Sequence, residues 1–148
     1  MSLIENKKAR LRYSILETFQ AGLELSGGEV KALRRKQGKL DGSRVIVRGG
    51  EAFVVGMQIP PYQPSNTPAD YDPERTRRLL LTKTEITELA DVEVRKGLTV
   101  VPIEVYTSGR YIKVRVAVVR GKGKSDKRED LKLKDAKREM DRALKRRT

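Results

Sequence analysis

The chemistry open to this chain is bounded first by what it lacks. Its 148 residues include no Cys and no His. That removes the thiolate nucleophile, the imidazole general base, the Ser-His-Asp triad and the common zinc ligands. Carboxylates and lysines remain. Glu29, Asp41 and Asp70 are the acids that a small nuclease would use to hold Mg²⁺. They form no tight cluster in the sequence, and acids interspersed with bases read more simply as ion-paired surface. The abundant chemistry is cationic: 33 Lys and Arg stand against 20 Asp and Glu, a formal net charge of +13. Such an excess draws a protein to a polyanion, with binding that weakens as salt rises. The clustering of the charge favours nucleic acid over a membrane surface. Neither catalysis, a metal nor a cofactor is expected.

The elements that must position these cations fit one domain. A content of 37% hydrophobic and 5% aromatic residues leaves little apolar surface to spare, so part of the chain is expected outside the core. The body is read as residues 1–119. Residues 14–25 predict a long bent strand, with Gly22 at a bulge or bend. After the turn Ser26-Gly27-Gly28, residues 29–36 place Val30 and Leu33 on one face at helical spacing, with Lys31, Arg34 and Arg35 around the rest. Residues 44–48 and 51–59 flank Gly49-Gly50 and predict a hairpin. Residues 60–73 are rich in Pro, Ser, Asn and Asp and predict a loop of unusual length, functional, disordered or both. Residues 82–96 predict a helix with Ile86, Leu89 and Val92 on its stripe, capped by Thr82 or Thr84 and ended by Gly97. Residues 98–106 and 111–119 form a second hairpin with Lys113 and Arg115 on one face and Val114 and Val116 on the other. At least five strands and two or three helices suggest a mainly β domain whose antiparallel sheet closes into a small barrel.

The remaining residues, 120–148, hold thirteen Lys and Arg against six Asp and Glu, over half the net charge in a fifth of the length. Leu133, Ala136, Met140 and Leu144 lie on one helical stripe. A stripe so thin does not sustain a helix alone, so the tail is expected to be unfolded when free and helical against RNA. No apolar run reaches the roughly 20 residues that span a bilayer, and the N-terminus lacks the apolar core of a signal peptide. A cytoplasmic, monomeric protein is expected.

Several motifs recur in a familiar order: Asn6-Lys7-Lys8-Ala9-Arg10, then ILETFQAGLEL, GGEVKALR over 27–34, DPERTRRLLL over 72–81, KGLTVVP over 96–102 and VVRGKGKSDKRED over 118–130. In order, spacing and total length this set resembles the SsrA-binding protein family (small protein B) across about residues 5–145. The resemblance implies a closed antiparallel β-barrel of OB-like character with two or three flanking helices and a basic C-terminal tail. It implies a non-catalytic adaptor that binds the tRNA-like domain of transfer-messenger RNA (tmRNA). Members carry that RNA, with elongation factor Tu bound to it, to the 70S ribosome for trans-translation. The tail then acts in the decoding centre and mRNA channel. By position, Asn6, Lys7, Lys8, Gln20, Leu80 and Lys113 match residues that face RNA. Arg120, Gly121 and Lys122 match the hinge of the tail, and Asp126, Lys127 and Arg128 match its DKR motif. Composition alone also permits a general RNA chaperone or a ribosome-associated structural protein.

Three positions depart from the family pattern. Gln20 stands where members commonly have Glu, which keeps an acceptor but loses the charge. Ser125 stands where members often have a stacking His or Tyr. Gly123 interrupts the familiar Gly-Lys-Lys, so a phosphate contact is either lost or moved to Lys124. Leu80 has two readings, an apolar plate for an unstacked base or plain core.

Overall fold

The computed structural model describes residues 1–121. Seven strands and three α-helices follow in order: β1 (Ser2–Glu5), α1 (Lys7–Arg12), β2 (Tyr13–Leu23), α2 (Gly27–Arg34), β3 (Arg44–Arg48), β4 (Glu51–Val55), β5 (Arg77–Leu80), α3 (Lys83–Glu93), β6 (Leu98–Ser108) and β7 (Tyr111–Gly121). All ladders are antiparallel, in the order β1-β6-β7-β2-β5-β4-β3.

The alternation of β-branched residues explains the sheet. Val114, Val116 and Val118 of β7 meet Phe19, Ala21 and Leu23 of β2 and Val100 and Val105 of β6 in one buried core. The alternate residues of the same strands face outward. The Gly49-Gly50 connection of β3 and β4 has φ of 60° and 76°, the paired positive values that a two-residue hairpin turn needs. Both long helices begin at a capping box, Ser26 with Glu29 and Thr82 with Glu85. The expected turn at residues 26–28 is therefore the start of α2.

The expected closed barrel is not present as a hydrogen-bonded structure, because the ladder ends at β1 on one side and β3 on the other. The sheet does curl until β3 lies against β6, with α3 packed on both. The Glu93 carboxylate of α3 accepts the Val47 N–H at 2.9 Å and pairs with Arg48 at 3.2 Å. A side chain thus takes an edge amide that a closing strand would otherwise hold.

Other expectations need correction. Gly22 lies in regular pairing with Lys113 and Leu80, while the irregularity of β2 falls between Ile15 and Glu17. β7 runs two residues past the expected boundary at 119, with Arg120 opposite Ser14 and Gly121 opposite Tyr13. β1 and α1 are too short to show a period and were not legible. The loop over 60–73 is held at several points. Ile59 N–H donates to Pro73 O at 2.9 Å, and Tyr71 O–H donates to Ile59 O at 2.7 Å.

Candidate nucleic-acid interface

Four strands present one outer face. Cross-strand neighbours share a face, so the register places Tyr106, Lys113, Gly22 and Leu80 in a row across β6, β7, β2 and β5. The next outward row holds Glu104, Arg115 and Gln20. With strands about 4.8 Å apart, Lys113 and Leu80 stand about 10 Å from each other.

Leu80 is 50% exposed, whereas its neighbour Leu79 is 1% exposed and in the core. The reading of Leu80 as core is therefore excluded. Its posture depends on Gly22: a Cβ there would lie 3.1 Å from the Leu80 Cβ and 3.2 Å from its Cδ1. We expect Gly22→Ala to shift Leu80 and weaken RNA binding about as much as Leu80→Ala, roughly tenfold for one lost base contact. In a Leu80→Gly background, which removes both contacts, the Gly22 change should cost nothing further. Additive losses in this double-mutant cycle, read by RNA titration, would disprove the coupling.

Arg115 lies over the Tyr106 ring at 5.0 Å and is paired with the Glu104 carboxylate. Across the strand it meets the exposed amide of Gln20, where a Glu would have supplied a second carboxylate. Arg78, also outward on β5, pairs with Glu51 at 3.2 Å and Glu24 at 3.8 Å.

α1 covers the far end of the same face. Ala9 packs with Val101, Ile103, Ala117 and Val119. From Lys113 to Val119 the strand runs about 20 Å. Lys7 and Lys8 are exposed on α1, and Lys8 approaches Asp41 at 3.6 Å. Asn6 differs from them. It is 3% exposed; its Oδ1 accepts the Ala9 N–H at 3.1 Å, and its Nδ2 donates to Pro102 O at 3.0 Å and Leu40 O at 3.3 Å. Both amide protons are used, and the side chain caps and anchors α1. Asn6 thus acts on Lys7 and Lys8 through the placement of their helix. Lys122, Lys124, Ser125, Asp126, Lys127 and Arg128 lie outside the described residues.

Behind β5 sits a buried ionic network that spacing alone did not suggest. Arg77 is 0% exposed, and its five N–H groups all find acceptors. Nε donates to Glu29 at 2.7 Å, Nη1 to Met57 O and Arg75 O, and Nη2 to Pro73 O and the Tyr71 hydroxyl. Arg75 donates to the same carboxylate at 2.5 and 3.0 Å. Burial pushes the Glu29 carboxyl up, but hydrogen bonds from Arg75, the Ser26 N–H and Arg77, with the Arg77 charge, outweigh it and hold the group at about 2. Glu29 is thus committed to fixing the loop that leads into β5. Asp41 faces Lys8, Asp70 is exposed, and no group of three or more His, Cys, Asp or Glu suited to a metal occurs among the described residues.

Fold and face together define a small, strongly basic, mainly β protein that offers one outer sheet surface to a polyanion. The comparisons give the family. The family model described as SmpB protein matches residues 3–146, so the chain belongs to the SmpB family. An SsrA-binding protein of Microcystis aeruginosa is 44% identical over 144 residues, covering 97% of this chain and 94% of the relative. The SsrA-binding protein of Enterococcus hirae is 44% identical over 143 residues, covering 97% and 92%. A chain from a solved structure of tmRNA-SmpB at the center of the bacterial ribosome superposes with a TM-score of 0.69 and 41% identity, covering 86% of this chain and 89% of that one.

Proposed function

We propose that the chain is a non-catalytic adaptor that binds the tRNA-like domain of tmRNA and delivers it to stalled ribosomes for trans-translation. The observation that carries this reading is the row of Leu80, Gly22 and Lys113 with Gln20 beside it, on the same outer face as Lys7 and Lys8. Cations fix an RNA backbone, and an exposed leucine offers a flat apolar surface to an unstacked base. Selection then follows from the shape of a folded RNA elbow. The names of the relatives, SsrA-binding proteins, agree with this reading. We take the curled sheet, with β3 brought round to β6, to work as an OB-like barrel closed by packing. Residues 1–119, with the last rungs of β7, form the RNA-binding body; residues 120–148 act in the decoding centre and mRNA channel of the 70S ribosome. Elongation factor Tu joins through the RNA. The adaptor acts as a monomer in the cytoplasm; no helix among the described residues is long and apolar enough to cross a membrane.

Titration with tmRNA, an elongator tRNA and an RNA duplex at near-physiological salt tests the proposal. A large preference for tmRNA is expected. Equal affinity for all three would leave a general RNA chaperone in its place, and metal-dependent loss of intact RNA would point to a nuclease.

A further inference from the structure

One cleft lies where β7 ends. It has a volume of about 190 Å³ and is lined by α1, β6 and the segment entering β3, with Lys8, Arg12, Tyr13 and Arg44 among its residues. Tyr13 is also the residue opposite Gly121 in the last rung of β7. The chain from residue 122 onward therefore starts on the rim of this cleft.

Two uncharged polar side chains of the lining are committed elsewhere. Asn6 uses both amide protons on carbonyls, and Ser43 Oγ donates to Leu40 O at 2.5 Å. The cations are less committed. Lys8 has Asp41 at 3.6 Å. Arg12 and Arg44, both exposed, have no ion-pair partner among the described residues. Three cations with one acid beside them suit a small anion, and the narrow space suits a carboxylate side chain.

The chain itself supplies one. Residues 122–130 read KGKSDKRED and lie outside the described residues. Asp126 is their first acid, five residues beyond Gly121. Five residues reach at most about 17 Å, and Gly121 and Gly123 put no Cβ in the way of a reversal. A tether this short holds the carboxylate at a roughly millimolar effective concentration, which offsets the weakness of exposed ion pairs. Glu129 and Asp130 sit on longer tethers, behind Lys127 and Arg128, whose charges the cleft repels.

We infer that this cleft is a docking site for the chain's own Asp126, and that RNA opens the latch so formed. Lys8, on the cleft wall, belongs with Lys7 to the face assigned to RNA, so RNA and Asp126 compete for shared cations. By linkage, each weakens the binding of the other. The free chain holds its DKR segment against α1, and the RNA-bound chain releases it for the ribosome. The docking stands on the cleft alone; the competition rests on the proposed function.

The chain has no Cys, so Ser125→Cys carries a single nitroxide on the full chain. The amide signal of Gly42 reports its approach, because Gly42 lies on a cleft wall that leads into β3, a strand β7 does not pair with. Broadening of Gly42 in the free chain should fall by roughly half or more with Asp126→Asn, and likewise with Arg12→Gln/Arg44→Gln. It should persist with Glu129→Gln/Asp130→Asn and vanish when tRNA-like RNA saturates the chain. In unlabelled chains, Asp126→Asn should bind that RNA about two- to fivefold more tightly than Glu129→Gln, a variant of the same charge. The gap should close in an Arg12→Gln/Arg44→Gln background. Broadening that is absent, that ignores Asp126→Asn, or that falls as far with Glu129→Gln/Asp130→Asn overturns the docking. Broadening that survives saturating RNA overturns the competition. A wild type with no preference for tmRNA would sink the functional reading instead, while the free-chain broadening still decides the docking.

Discussion

Deleting residues 122–148 is expected to abolish release of stalled ribosomes while binding of the tRNA-like domain at near-physiological salt largely survives. The cut follows Gly121 because β7 pairs with β2 up to that residue; removal from 120 would also take the rungs at Arg120 and Gly121. The deleted segment holds twelve Lys and Arg against six Asp and Glu, nearly half of the chain's excess charge of +13, so affinity for every RNA should fall at low salt, where nonspecific attraction dominates. The preference for tmRNA over tRNA should persist, because the outer sheet face is intact. Alanine at Asp126, Lys127 and Arg128 together should reproduce the loss of rescue with RNA binding retained. Gel-shift titration beside a reconstituted rescue reaction reads both quantities. Collapse of tmRNA affinity on deletion would make the tail the principal anchor and refute the division of labour.

Arg77→Met is expected to cost about 3–5 kcal/mol of stability, the range for removing one partner of a buried ion pair. The change strands part of the Glu29 charge at a site where both side chains are 0% exposed, removes the Arg77 donor from Met57 O, and leaves Pro73 O with the Ile59 N–H in place of two donors. Urea denaturation measures it. A loss below about 1 kcal/mol would mean that the network is dispensable. Acid offers a second view. The Glu29 group is lowered from 4.5 to about 2, so its contribution is present in full above pH 4.5 and disappears as pH falls towards 2 and below. That contribution is about 3 kcal/mol. The wild-type urea midpoint should drop across this window, and Glu29→Gln, already destabilised, should show a shallower drop. Equal slopes in the two proteins would assign the acid transition to other carboxylates. Because the network fixes the approach to β5, Arg77→Met should also weaken the RNA contact assigned to Leu80.

Much of the fold was legible because its signals are local. The alternation in β7 separated Lys113 and Arg115 from Val114 and Val116, the Gly49-Gly50 pair marked a hairpin, and Thr82 or Thr84 marked the start of α3, with the structure choosing Thr82. The first twelve residues were not, although Asn6 before KKARLR carried a capping signal. A strand of four residues and a helix of six leave no measurable period. The loop at 60–73 read as functional, disordered or both, and not as held, because its restraints are Glu29, Arg75 and Arg77, up to 48 positions apart in the chain.

Charge count, residue inventory and two-residue alternation belong to the chain alone, and they suffice to make this a cationic, mainly β protein with no thiol or imidazole chemistry. Three other features depend on tertiary contacts. Leu80 faces outward, since the register of β5 sends Leu79 to the core and the missing side chain of Gly22 makes room for its neighbour. Asn6 is turned inward, because β6 and the segment after α2 bring the Pro102 and Leu40 carbonyls to its amide. Glu29, which reads from the sequence as ion-paired surface, is instead buried and held by two arginines. Each outcome depends on which distant residues share a rung or a cavity, and sequence spacing does not encode that.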